Sequence, residues 1–80
     1  MYSYNQLEEF CKRFSPKNEK SNLKILRVNV KKQTITLLLN NYYEIVLSFD
    51  QFRMLYGINL LDFPLPNKNK TNIAGVEFVI

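Results

Sequence analysis

Apolar and polar residues alternate along this chain in two distinct rhythms. Tyr4, Leu7, Phe10, Cys11 and Phe14 are spaced by threes and fours, the stripe of an amphipathic α-helix. Glu8, Glu9, Lys12 and Arg13 take its other face, acids first and bases last, as the helix dipole favours. Ser3-Tyr4-Asn5-Gln6 has the S-x-x-Q form of a capping box, and Ser15-Pro16 marks the stop. Lys17 to Asn22 reads as a polar loop. The rhythm then shortens to two. Leu23 to Val30 predicts a first strand, in which Leu26, Val28 and Val30 alternate with Arg27, Asn29 and Lys31. Leu23 and Ile25 fall out of phase with them, which calls for a bulge or for cover on both faces.

Lys31-Lys32-Gln33 is a turn candidate, and Thr34 to Leu39 is a second strand with Ile35, Leu37 and Leu39 on one face. Asn40-Asn41 suits a hairpin turn, because Asn tolerates positive φ. Tyr42 to Leu47 is a third strand, with Tyr43, Ile45 and Leu47 on one face and Tyr42, Glu44 and Val46 on the other. Ser48-Phe49-Asp50-Gln51 repeats the capping box. A short helix to Tyr56 follows, with Phe49, Phe52, Leu55 and Tyr56 as its stripe and Gly57 as its C-terminal stop. Residues 58–72 read as a loop broken by Pro64 and Pro66. Ile73 to Ile80 reads as one last strand, with Gly75 permitting a bulge or a close approach. The expectation is a small single α+β domain over residues 1–80, ordered α-β-β-β-α-β, with an antiparallel sheet of about four strands and both helices on one face.

Composition narrows the chemistry. Eighty residues suffice for one core. There is no His and one Cys, so a Cys/His zinc site and a His-dependent nucleophile are excluded. Two isolated glycines cannot form a phosphate-binding loop or a dinucleotide fingerprint. Glu44, Asp50 and Asp62 come from separate elements, so no carboxylate pair is expected. These points lead to a non-enzymatic domain with no catalytic residues, no cofactor and no metal. Cys11 reads as a small core hydrophobe. No apolar run is long enough to span a membrane, and Met1 to Phe14 does not have the form of a signal peptide, so a cytoplasmic setting is expected. Ten Asn, with frequent Lys and Ile, suggest an AT-rich source such as a phage or mobile element.

The net charge of +4 is uneven. Residues 1–40 hold eight Lys or Arg against three acids, and residues 41–80 hold three against four. A nucleic-acid-binding module would therefore use Lys12, Lys20, Arg27, Lys31 and Lys32 on phosphates. The eleven Tyr and Phe residues offer another route. Phe10, Phe14, Phe52 and Phe78 suit the core, whereas Tyr42 and Tyr56 suit an interface equally well. A third reading, a subunit of a larger assembly such as a virion, predicts an exposed strand edge at Ile73 to Ile80.

Tyr42-Tyr43-Glu44, followed by Leu47-Ser48-Phe49-Asp50-Gln51-Phe52-Arg53-Met54-Leu55-Tyr56-Gly57, is similar to a segment of the small dimeric uracil-DNA glycosylase inhibitors of phages. Those proteins carry a YYE strand and a Ser-capped helix ending in Tyr-Gly. Arg53 stands where the family has an acid, and the chain is basic where the family is acidic. The resemblance implies a protein that binds and inhibits a host enzyme, with Glu44 and Tyr56 at matching functional positions and Phe52, Leu55 and Tyr56 forming a pocket or homodimer surface. The expected protein-binding set is Tyr42, Tyr43, Glu44, Phe52, Arg53, Leu55 and Tyr56.

Overall fold

A computed structural model describes all residues, 1–80. The helix α1 spans Tyr4–Arg13. It is followed by the strands β1 (Leu23–Asn29), β2 (Thr34–Leu39) and β3 (Tyr43–Ser48), and by the helix α2 (Phe49–Tyr56). A short 3-10 turn (Leu60–Asp62) precedes β4 (Asn72–Ile73) and β5 (Val76–Val79).

Both helices start as their sequences dictate. Ser3 Oγ accepts from the Gln6 N–H while the Gln6 side chain accepts from the Ser3 N–H, and Ser48 and Gln51 do the same for α2. Each box satisfies two amide donors that a helix start otherwise leaves free. Gly57 ends α2 at φ +73°, its N–H donating to the Arg53 carbonyl at 2.8 Å.

The sheet is mixed, not antiparallel, and has five strands in the order β3-β2-β1-β5-β4. Pairings β1–β2, β2–β3 and β4–β5 are antiparallel, but β5 runs parallel to β1, with Val28 beside Phe78. The expected single strand Ile73–Ile80 is instead a hairpin. Ile73 pairs with Val76, and Ala74 and Gly75 form a two-residue turn at φ +54° and +91°. Positive φ is costly for Ala. Here the turn is held from two sides: the Ser15 hydroxyl donates to the Ala74 carbonyl, and Asn72 Oδ1 accepts from the Gly75 N–H at 3.1 Å. Of the strand edge expected at Ile73–Ile80, Val76–Val79 is therefore interior, because β5 lies between β1 and β4, and the edge on that side is the two-residue β4.

The phase conflict in β1 is a bulge. Ile25 pairs with Leu37 but Arg27 pairs with Thr36, which leaves Leu26 as the extra residue. Leu23, Ile25 and Val28 thereby face the same side as Leu39, Leu37 and Ile35. Val30 lies past the strand end, in the turn with Lys31, Lys32 and Gln33. Tyr42 likewise belongs to the turn before β3, where Asn40 and Asn41 both take positive φ.

α1 and α2 cover one face of the sheet. Leu7, Phe10 and Cys11 from α1 and Phe49 and Phe52 from α2 join Ile25, Val28, Ile35, Leu37, Ile73, Val76 and Phe78 in one core. The 58–72 segment contributes Leu60 to that core, and Phe63 packs against it. Phe63 stacks on Phe10 at 4.9 Å and on Tyr2 at 4.3 Å. No helix covers the opposite face, which carries Lys24, Arg27, Thr36, Leu38, Glu44, Val46 and Glu77. Arg27 and Glu77 form an ion pair there at 3.4 Å.

The Gly57 stop can be tested alone, since a Cβ built there meets nothing within 4 Å. Gly57→Ala should cost about 1 kcal/mol through backbone conformation, and Gly57→Asn should cost less. Urea unfolding of the three proteins reads both values.

Candidate interaction surface

The surface expected to bind protein divides once the side chains are placed. α2 has only eight residues, and its inward side is taken by Phe49 and Phe52. Phe52 is 1% exposed, so it is a core residue and is corrected out of the binding set. Its ring lies 4.8 Å from that of Tyr56, which it supports from beneath. Leu55 is 67% exposed and Met54 is more exposed still. Met54 was not anticipated, because it falls off the three-and-four spacing that marked the stripe. Arg53 reaches toward Asp50 at 3.9 Å, one turn earlier on an exposed helix face.

On the other side of Ser48, Tyr42 and Tyr43 are both well exposed, and their rings meet edge to face at 4.9 Å. The contact restricts both rings at the hairpin tip without burying either. Glu44 follows on the open face of β3, opposite Leu38 and without an ion pair. Val46, two residues on, is 61% exposed on the same face. The structure thus brings Tyr42 to Tyr43 and Tyr56 to Phe52, and joins the two groups through β3 and the Ser48 cap.

The basic residues come from separate elements. Lys12 lies on α1, Lys20 in the α1–β1 loop, and Lys31 and Lys32 in the β1–β2 turn. Arg27 projects from the sheet face opposite the helices and is held by Glu77. No group of three or more Cys, Asp or Glu side chains gathers at one point. No helix is long and apolar enough to cross a membrane.

A cavity of about 280 Å³ lies between the sheet, α1 and the segment that follows α2. Its floor is Leu7, Phe10, Val28, Val30, Phe49 and Phe78, and Phe63–Pro66 form part of its wall. Every lining side chain is aliphatic, aromatic or prolyl, so no side chain there can orient a polar ligand. Its wall comes from the 58–72 segment, whose two prolines read in sequence only as breaks.

Cys11 is the one thiol. Burial first, and then the Glu8 carboxylate, push its pKa from about 9 up to about 12. The raised value means the folded state holds the thiol proton after the unfolded chain has released it. This group's contribution to stability is therefore intact below about pH 9 and falls away between about pH 9 and 12.

No family model, curated protein or solved structure matches the chain.

Two measurements follow. Val30→Ile adds one methylene beside the cavity and should raise stability by about 0.5–1 kcal/mol; a loss in denaturant unfolding would show that no space is available there. Cys11 should react with a thiol reagent at pH 8 only as fast as the chain opens. Cys11→Ala should lose less stability than wild type between pH 9 and 11, because it lacks the buried thiol.

Proposed function

We propose that this chain is a non-enzymatic module that binds another protein and inhibits or modulates it, using Tyr42, Tyr43, Glu44, Met54, Leu55 and Tyr56. The observation that carries the reading is the run of exposed apolar and aromatic side chains on either side of the Ser48 cap. Exposed Leu and Met side chains cost solubility, and aromatic side chains backed by the core lose little freedom on docking. The Tyr56 ring already rests on Phe52, and Tyr42 and Tyr43 restrict each other, so much of the ordering precedes contact.

The resemblance over residues 42–57 names one target to try, uracil-DNA glycosylase, in the setting of a phage or mobile-element protein. Arg53 differs from that family in charge, and its exposed guanidinium suits a partner with an acidic rim.

The reading is tested in two steps. Mixed with uracil-DNA glycosylase, the chain should co-elute on size exclusion and reduce uracil excision, and Leu55→Asp should weaken both at least about tenfold. Failure of wild type here removes the named target. For the broader reading, a photo-crosslinker at position 55 should capture a discrete protein in the native host, whereas the same group at position 12 on α1 should not. Equal capture from both positions, or none from either, contradicts a binding role for this surface.

A further inference from the structure

The sheet has two outer strands, and they differ in kind. β4 is two residues long, whereas β3 offers six residues with nothing beside them. The hydrogen-bond pattern shows which β3 groups are free. The Phe49 N–H donates across the hairpin to the Gln33 carbonyl at 3.0 Å. The pairs Ile35–Leu47, Leu37–Ile45 and Leu39–Tyr43 continue that alternation without a register break. In an antiparallel ladder alternate residues bond the same neighbour, so the backbones of Tyr43, Ile45 and Leu47 face β2. Those of Glu44, Val46 and Ser48 face outward. Ser48 supplies a check, because its N–H is turned away from β2 and bonds Gln51 Oε1 at 2.9 Å. The Ser48 carbonyl enters α2 as the first helical acceptor. Four groups remain unclaimed: the N–H and C=O of Glu44 and of Val46.

Natural edges of this length are usually blunted by Lys, Pro or a bulge. β3 has none of these, and Glu44 is its one charge. We propose that β3 pairs antiparallel with β3 of a second copy, about a two-fold axis through Ile45, joining two five-stranded sheets into one of ten strands. The register follows from the four free groups. Centred on Ile45, Glu44 lies opposite Val46 of the second copy and Val46 opposite its Glu44, and all four groups on each chain are paired. Centred on Glu44, the two carboxylates oppose each other and Val46 meets Tyr42, whose N–H already bonds the Leu39 carbonyl at 3.0 Å. Centred on Val46, Glu44 meets Ser48, whose N–H is held by Gln51. A centre between two residues opposes an outward-facing residue to an inward-facing one and makes no ladder.

In the Ile45 register the exposed Tyr43 lies beside Leu47 of the second copy and the exposed Val46 beside its Glu44. Each chain offers one such edge, so the assembly closes as a dimer rather than growing. The pairing takes Tyr43 and Glu44 of the preceding surface into the seam and leaves Tyr42, Met54, Leu55 and Tyr56 free for a different protein. Mass and partner capture are read separately, so either can fail alone.

The experiment is sedimentation equilibrium of the full chain over a wide concentration range, with three variants. Wild type should show a concentration-dependent monomer–dimer equilibrium. Val46→Pro deletes an N–H that its own sheet does not use. It should keep the fold by circular dichroism and weaken dimerisation about tenfold or more, through two lost hydrogen bonds per dimer. Val46→Glu sets a carboxylate opposite Glu44 and should also weaken the dimer. Adding Glu44→Lys to Val46→Glu turns both repulsions into ion pairs and should restore it. This pair of variants decides the question even if the proline variant misfolds. A wild type that stays monomeric at every concentration, masses beyond the dimer, or a Val46→Glu defect that Glu44→Lys does not relieve would overturn the proposal.

Discussion

The parallel pairing of β5 with β1 is the constraint from which the rest of this structure follows. It makes β1 an inner strand, bonded to β2 along one side and to β5 along the other. It sets Phe78 beside Val28 in the core and carries the β4–β5 hairpin to the far side of the sheet. That placement gives α1 its seat. Phe14, at the helix end, accepts from the Ile25 N–H at 2.7 Å, and Ser15, the next residue, reaches the Ala74 carbonyl in the hairpin turn. Residues far apart in sequence are thus fixed by one short junction. Had β5 paired with β3, as a simple meander would have it, no long edge would remain there. Because it crosses to β1, β3 is left with an open side.

The local elements were legible because local chemistry fixes them. Ser3 with Gln6 and Ser48 with Gln51 are reciprocal caps within one turn, and Gly57 needs only its own backbone to end α2. The out-of-phase Leu23 and Ile25 pointed to a bulge, and Leu26 is that bulge. The β4–β5 turn was not legible. Ala74 is a poor residue at positive φ, and what steadies its carbonyl is Ser15, 59 residues earlier in the chain. The parallel order was hidden for a similar reason. The alternation of Val76 with Phe78 marks a buried face but does not say which neighbour shares it.

The candidate interaction surface shows the same division between local and distant information. Phe49, Phe52, Leu55 and Tyr56 form one stripe by spacing, yet the sheet beneath α2 accepts only the first two. The helix is short, so its last turn projects past the core, and Leu55 joins the exposed Met54. Phe52 changes role from contact residue to the support under Tyr56. Phe63, read in sequence as part of a loop, is the ring stacked on both Tyr2 and Phe10. It ties the 58–72 segment to the amino-terminal helix and helps wall the apolar cavity.

Residue-resolved amide hydrogen exchange on dilute protein tests the strand order most directly. In β1 the amides of Arg27, Val28 and Asn29 should all be protected, because neighbours lie on both sides. In β3 protection should alternate, slow at Ile45 and Leu47 and fast at Glu44 and Val46. Uniform protection along β3 in the monomer would mean that another strand of the chain covers it, and would contradict the pairing of β5 with β1 on which this account stands.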